Sequence, residues 1–196
     1  MRKICFVLVL LMVVFSLAGL KKTQAREAQV YAITDWISEC PAGDRSWWDD
    51  MGDAWYDEIT DCGVDFFGWC LLGHCGDCYS RDKRRVNGSM TPARFAEELD
   101  FTWAHDRTYV DEADAAMVCL HGGDDDDYWR GKCRYKAGGD CYINAEDELR
   151  VGDYDLEFLH LSSCHSLDDN MIPNTWRVFR RAGSSRILHQ LDGFHG

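Results

Sequence analysis

Two side chains in this sequence are of the right types to share one piece of chemistry. His121 follows the apolar run Ala115-Ala116-Met117-Val118-Cys119-Leu120 and precedes Gly122-Gly123. Cys164, 43 residues later, follows Leu156-Glu157-Phe158-Leu159-His160-Leu161 and the small pair Ser162-Ser163. A thiolate attacks carbonyl carbon, and an imidazole takes the thiol proton beforehand. Each run reads as a buried strand that stops at a reactive group; the plainer reading is two core strands with ordinary polar ends. Open parallel sheets bind ligands at the carboxyl ends of their strands, so the two strands would bring His121 and Cys164 to one cleft.

The elements that must position this pair alternate along the chain. Gln29 to Thr34 predicts a first strand, and Met51, Trp55 and Ile59 recur at the spacing of a helix with one buried stripe. Val64 to Leu72, between Gly63 and Gly73, predicts a second strand. Thr91-Pro92 predicts a helix start, with Thr91 as cap, Met90 stapled to Phe95, and Phe95 with Leu99 on the buried face. The two reactive strands follow, separated by an irregular insert. A short helix is expected after Pro173, carrying Trp176 and Phe179, with Arg177, Arg180 and Arg181 near its end and Gly183 as its stop. Arg186 to Leu191 makes a last strand. The pattern gives an α/β domain with a mostly parallel central sheet flanked by helices. Gly193-Phe194-His195-Gly196 stands where such a domain adds a covering helix, which predicts an abbreviated version.

Residues 1–25 read as a signal peptide: Arg2 and Lys3, then an apolar run from Ile4 to Leu20, then Thr23-Gln24-Ala25 as a cleavage site. An uncleaved anchor is the competing reading, but no second apolar run follows. Residues 26–196 form a single domain, exported to the periplasm or the extracellular space, with no stable membrane association after cleavage. Losing Arg2, Lys3, Lys21 and Lys22 moves the formal charge from −13 to −17. That surface argues against nucleic acid as a partner and suits a basic substrate or a divalent cation, solubility being its plainer meaning. Cys5 leaves with the signal and nine cysteines remain, which in an oxidising compartment predicts disulfide-rich loops with at least one thiol left over. Cys164, at a strand end, is the natural free thiol. Cys62, Cys70, Cys75 and Cys78 are expected to pair among themselves or with Cys40.

The segments Met117-Val118-Cys119-Leu120-His121-Gly122 and Phe158-Leu159-His160-Leu161-Ser162-Ser163-Cys164 resemble the caspase-like cysteine peptidases, the superfamily of gingipains, legumains and metacaspases. The resemblance spans about residues 100 to 191. It implies a caspase-like fold, with His121 as base and Cys164 as nucleophile, and an oxyanion hole built from the backbone amides of Gly122 and Cys164. Such donors are worth about 3 kcal/mol of barrier each. The sequence departs from the pattern in the acids after His121-Gly122-Gly123 and in His165 directly after the cysteine. It also resembles uncharacterised secreted bacterial proteins that pair His-Gly and Ser-Ser-Cys segments.

Asp124, Asp125, Asp126 and Asp127 follow the base directly and, at the cleft edge, would select a basic substrate side chain. Carboxylates of this kind also suit Ca²⁺, although the run lacks the spacing of an EF-hand loop and a solvated acidic loop accounts for it. Cys75 and Cys78 beside His74 have zinc-ligand types, yet disulfides fit an exported protein better. Cys133 and Cys141 flank Ala137-Gly138-Gly139, which predicts a hairpin that a disulfide between them would staple. His121, His165, His189 and His195 all fall near strand ends, and three converging would make a zinc site, without any supporting motif. His160 alternates with leucines and reads as structural. Of the eight tryptophans, Trp47, Trp48 and Trp129 are expected to be the most exposed.

These features predict a secreted thiol-dependent peptide hydrolase with a Cys164–His121 dyad, acting on a peptide or protein substrate. It needs no cofactor and no metal ligand set, Ca²⁺ at the acidic run being the one ion suggested. The alternative is a non-catalytic, disulfide-rich recognition protein on the same fold, and the third reading is a metal-dependent hydrolase.

Overall fold

The computed structural model describes residues 26–61, 79–125, 127–178 and 188–194. The signal-like segment, the Val64–Leu72 strand, Cys62, Cys70, Cys75 and Cys78 lie outside the described residues. So do Phe179, Arg180, Arg181, Gly183 and His195.

A five-stranded sheet runs in the order β2-β1-β3-β7-β8: β1 is Arg26–Ala32, β2 Tyr79–Val86, β3 Ala115–Cys119, β7 Phe158–Ser162 and β8 Gln190–Asp192. Every neighbouring pair is parallel. β3 is buried along its whole length, as a strand covered on both faces must be. Ala116 and Val118 face one apolar cluster with Tyr31, Leu159 and Leu161; Ala115, Met117 and Cys119 face another with Val30. Strand order reverses between β1 and β3, which creates a switch-point crevice at their carboxyl ends.

One helix, α1 (Trp47–Thr60), covers the second cluster. Its innermost stripe is Trp48, Gly52 and Tyr56, one position off the expected stripe of Met51, Trp55 and Ile59, which pack at its margin. Gly52 lets the helix close on β1, because a Cβ there would lie 2.6 Å from Val30 Cγ1. Asp49, Asp53 and Asp57 line the outer face at four-residue spacing and pair with Arg84 and Arg81 of β2. That charged strand, YSRDKRRV, sits at the edge of the described sheet, where a strand tolerates a polar sequence.

Among the described residues helices are fewer than the sequence predicts. Thr91-Pro92 opens only a 3₁₀ turn, Pro92–Arg94, since Ala96 leaves it to bridge Leu149 and Glu97 N–H donates to the Glu148 carbonyl. Phe95 is buried as expected, but Leu99 is 68% exposed. The expected irregular insert is an antiparallel sheet, β4 (His121–Asp125), β5 (Tyr128–Ala137) and β6 (Asp140–Asn144). Its β5–β6 turn uses Gly138 and Gly139, both at positive φ. Trp129, Cys133 and Ile143 of this sheet close the first cluster, a role the sequence assigned to helices. Trp48 and Trp129 are thus buried, contrary to expectation, and Trp47 is exposed. α2 (Met171–Val178) contains Pro173 rather than following it, and β8 is shorter than the predicted last strand.

Cys141 bonds to Cys40 rather than to Cys133, joining the loop after β1 to β6 across 101 residues. Closing so long a loop stabilises by about 4–5 kcal/mol in the chain-entropy picture. The hairpin does not need the expected staple, because Cys133 points into the core as a buried thiol. Among the described residues no helix is long and apolar enough to cross a membrane.

Candidate functional site

β3 and β7 stay in register to their ends, with Cys119 opposite Ser162 and the Leu120 N–H donating to the Ser162 carbonyl at 3.3 Å. His121 and Cys164 follow directly, one on each adjacent chain. The two segments touch through Gly122. A Cβ at that position would fall 2.2 Å from Ser163 Oγ and 2.3 Å from the Cys164 carbonyl oxygen. Only glycine allows that approach.

The His121 ring is held from three sides. Its Nε2 lies 2.6 Å from the Gly43 carbonyl oxygen, and the ring meets Trp36 at a tilt and Trp48 edge-on, at centroid distances of 4.7 and 5.1 Å. A carbonyl only accepts, so Nε2 is the donor in this contact, and the tautomer that fits it has its lone pair on Nδ1. That nitrogen is the one available as a base.

Cys164 is exposed and free, as expected of the leftover thiol. The turn that presents it is pinned from below. Ser166 Oγ donates to the Ser163 carbonyl at 2.9 Å and accepts from Phe194 N–H at 2.9 Å, while Trp129 Nε1–H donates to Ser163 Oγ at 3.1 Å. His165 takes a left-handed backbone (φ 61°), which turns the chain away immediately after the cysteine, and its Nδ1 pairs with Asp168 at 2.5 Å. No hydrogen bond joins Cys164 to His121 among the described residues. The other two described thiols differ sharply: burial pushes Cys119 up to about 12 and raises Cys133 as well.

A cleft of about 310 Å³ opens beside the His121 ring, lined by His121, Gly122, Gly123 and Asp124 on β4 and by Arg130, Lys132 and Tyr142 opposite. Lys132 Nζ donates to the Tyr142 hydroxyl at 2.9 Å, and the Arg130 guanidinium lies 3.9 Å from that ring. The acidic run is not a free loop. Asp124 and Asp125 belong to β4, Asp127 makes the turn to β5 at φ 73°, and Asp126 lies outside the described residues. Asp124 lines the cleft, which it shares with two cations.

The chain belongs to the DUF6345 family. This domain of unknown function covers residues 34–196 and so includes both reactive strands. No curated protein and no solved structure matches the chain.

The histidines expected to converge on zinc do not gather: among the described residues His121, His165 and His189 form no metal-holding group. His160 is half-buried against the Phe194 ring, and burial lowers its imidazole pKa. A group that sequence reasoning missed lies at the other end of β3 and β7. Glu97, Asp106 and Asp153 converge there, beside Asp111. Burial raises Asp106 to about 7, opposed by the Glu98 amide, and raises Asp111 and Glu97 as well. These acids come from separate segments, and no periodicity in the sequence marks them.

Proposed function

We propose that this chain is an exported cysteine peptidase of caspase-like architecture, with Cys164 as nucleophile and His121 as base. One observation carries the reading. Adjacent parallel strands in register end in an imidazole with a lone pair on Nδ1 and in an exposed free thiol, joined by a glycine that no larger residue can replace. In the reaction the Cys164 thiol gives its proton to His121 and its sulfur bonds to the peptide carbonyl carbon. The C–N bond then breaks, and the leaving amine takes the proton back from the imidazolium. Water hydrolyses the thioester, releasing the carboxylic acid and restoring the thiol. The backbone amides of Gly122 and Cys164 are the proposed oxyanion donors, and the cleft beside His121 takes the substrate chain. The preference for a basic side chain belongs to this proposal through Asp124, tempered by Arg130 and Lys132 across the cleft. Export completes the reading, supported by the Cys40–Cys141 bond, while Cys119, Cys133 and Cys164 are free thiols.

A second reading, a recognition protein without catalysis, has its own support. The His121 ring is anchored to Gly43 and two tryptophans, and no hydrogen bond links it to Cys164. A broad peptide library separates the two. The peptidase reading predicts hydrolysis by the wild type, loss of about a thousandfold or more in Cys164→Ala with the fold intact, and slower turnover of basic peptides in Asp124→Asn. No hydrolysis by the wild type, with or without Ca²⁺, favours the recognition reading. Hydrolysis surviving in Cys164→Ala identifies another nucleophile.

A further inference from the structure

The carboxylates at the amino-terminal end of the β3–β7 pair are short of positive charge. Glu97, Asp106 and Asp153 each place one oxygen within 4.8 Å of the other two. Asp106 is fully buried, at 0% exposure, and its Oδ2 has no hydrogen-bond partner among the described residues, while the Asp153 carboxyl stands against that of Asp111. Their remaining contacts are few. The Glu98 amide donates to Asp106 Oδ1 at 3.0 Å, the Leu99 amide to Glu97 Oε1 at 2.9 Å, and Arg107 to Asp153 Oδ2 at 2.9 Å. Arg107 is the one cation at the cluster among the described residues. It lies 4.0 Å from Glu97 and stands partly in solvent, so it does not satisfy the buried oxygen of Asp106.

Beneath the cluster, Asp111 accepts amide hydrogens from Gly152, Asp153, Tyr154 and Leu156 at 2.8 to 3.2 Å. Those bonds wrap the loop before β7 around a carboxylate that lies four residues before β3. The Asp153 side chain is therefore held in place by its own backbone. An orphaned carboxylate oxygen in a protein interior is costly, and native structures satisfy such atoms with a partner. Convergent carboxylates with one side reaching solvent are the ligand set of a hard divalent ion, which takes oxygen donors and completes its shell with water.

We propose that Glu97, Asp106 and Asp153 bind Ca²⁺ and that the ion clamps the loop before β3 to the loop before β7. The site differs from the acidic run at Asp124 to Asp127. It stands a full strand away from His121 and Cys164, roughly 16 Å for a five-residue strand. Its role is to hold the two reactive strands together at their far end, so the proposal does not rest on the peptidase reading.

Calcium titration of the purified full chain tests it, by calorimetry and by thermal unfolding in Ca²⁺ against chelator. Wild type should bind one Ca²⁺ and melt several degrees higher with millimolar Ca²⁺ than with chelator. Asp106→Asn keeps the shape and the Oδ1 acceptor while removing the charge. It should weaken binding roughly tenfold or more and melt in chelator no lower than wild type, because an unpaired buried charge is gone. Glu97→Gln should also lose the calcium-induced shift, and it serves if Asp106→Asn fails to fold. Asp124→Asn should keep the whole shift. No calcium-dependent shift in wild type, or a shift undiminished in both Asp106→Asn and Glu97→Gln, overturns the proposal. A shift lost in Asp124→Asn instead moves the ion to the acidic run and overturns it too.

Discussion

The two ends of the β3–β7 pair solve opposite problems with similar residues. At the carboxyl end the polar groups are satisfied and one reactive atom is left in the open. Ser163, Ser166 and the His121 ring are hydrogen-bonded, and of the three described free thiols Cys164 alone is exposed. At the amino end Glu97 and Asp106 are buried, and Asp106 Oδ2 has no hydrogen-bond partner among the described residues. The contrast separates a site built to expose one atom from a site built to enclose one. Satisfied surroundings hold a reactive side chain in a fixed place, while unsatisfied ones draw a ligand to complete them.

Substitutions at each end sharpen the comparison. The largest stability loss should come from Asp111→Ala, which strips the acceptor from four amides, two of them in fully buried bonds. It should cost about 3–5 kcal/mol and loosen the loop before β7, a change that urea unfolding with hydrogen exchange would register. A loss under about 1 kcal/mol would mean that the loop does not depend on this carboxylate. A smaller loss belongs to Gly122→Ala. Its new methyl meets Ser163 Oγ, the Cys164 carbonyl and Trp129 Nε1 at 2.2 to 2.7 Å, and backbone cannot swing aside. Overpacking of this kind costs about 1–3 kcal/mol. Gly123→Ala has open space around its Cβ and should be close to neutral. Equal effects of the two alanines would break the claim that Gly122 is where the reactive segments meet.

Much of the carboxyl end was legible in the sequence, and the amino end was not. Ala115 to Leu120 and Phe158 to Leu161 read as strands because a strand buried on both faces carries an almost unbroken apolar run. Their ends then located His121 and Cys164 without any knowledge of the rest. β2 was missed because an edge strand can be as charged as YSRDKRRV when a helix of acids lies beside it. The helix expected after Thr91-Pro92 failed because local capping signals lost to a tertiary bridge between Ala96 and Leu149. Trp129 looked like a surface residue within a polar stretch, yet alternation along β5 turns it into the core. The partner of Cys141 is not determined by its spacing from Cys133, since chain distance says little about which sulfurs meet. Glu97, Asp106, Asp111 and Asp153 have no common period, and only the fold assembles them.

Alkylation kinetics of the three described free thiols test the central claim most directly. In the native protein, iodoacetamide at pH 7 should modify Cys164 alone among the three. Cys119, raised by burial to about 12, and the deeply buried Cys133 should stay intact until the protein unfolds. If the proposed dyad holds, the rate at Cys164 should exceed that of an unfolded reference thiol and fall by roughly tenfold in His121→Ala, the imidazole then being the proton acceptor that makes thiolate. A Cys164 that reacts no faster than the unfolded thiol, at a rate indifferent to His121→Ala, would contradict the account.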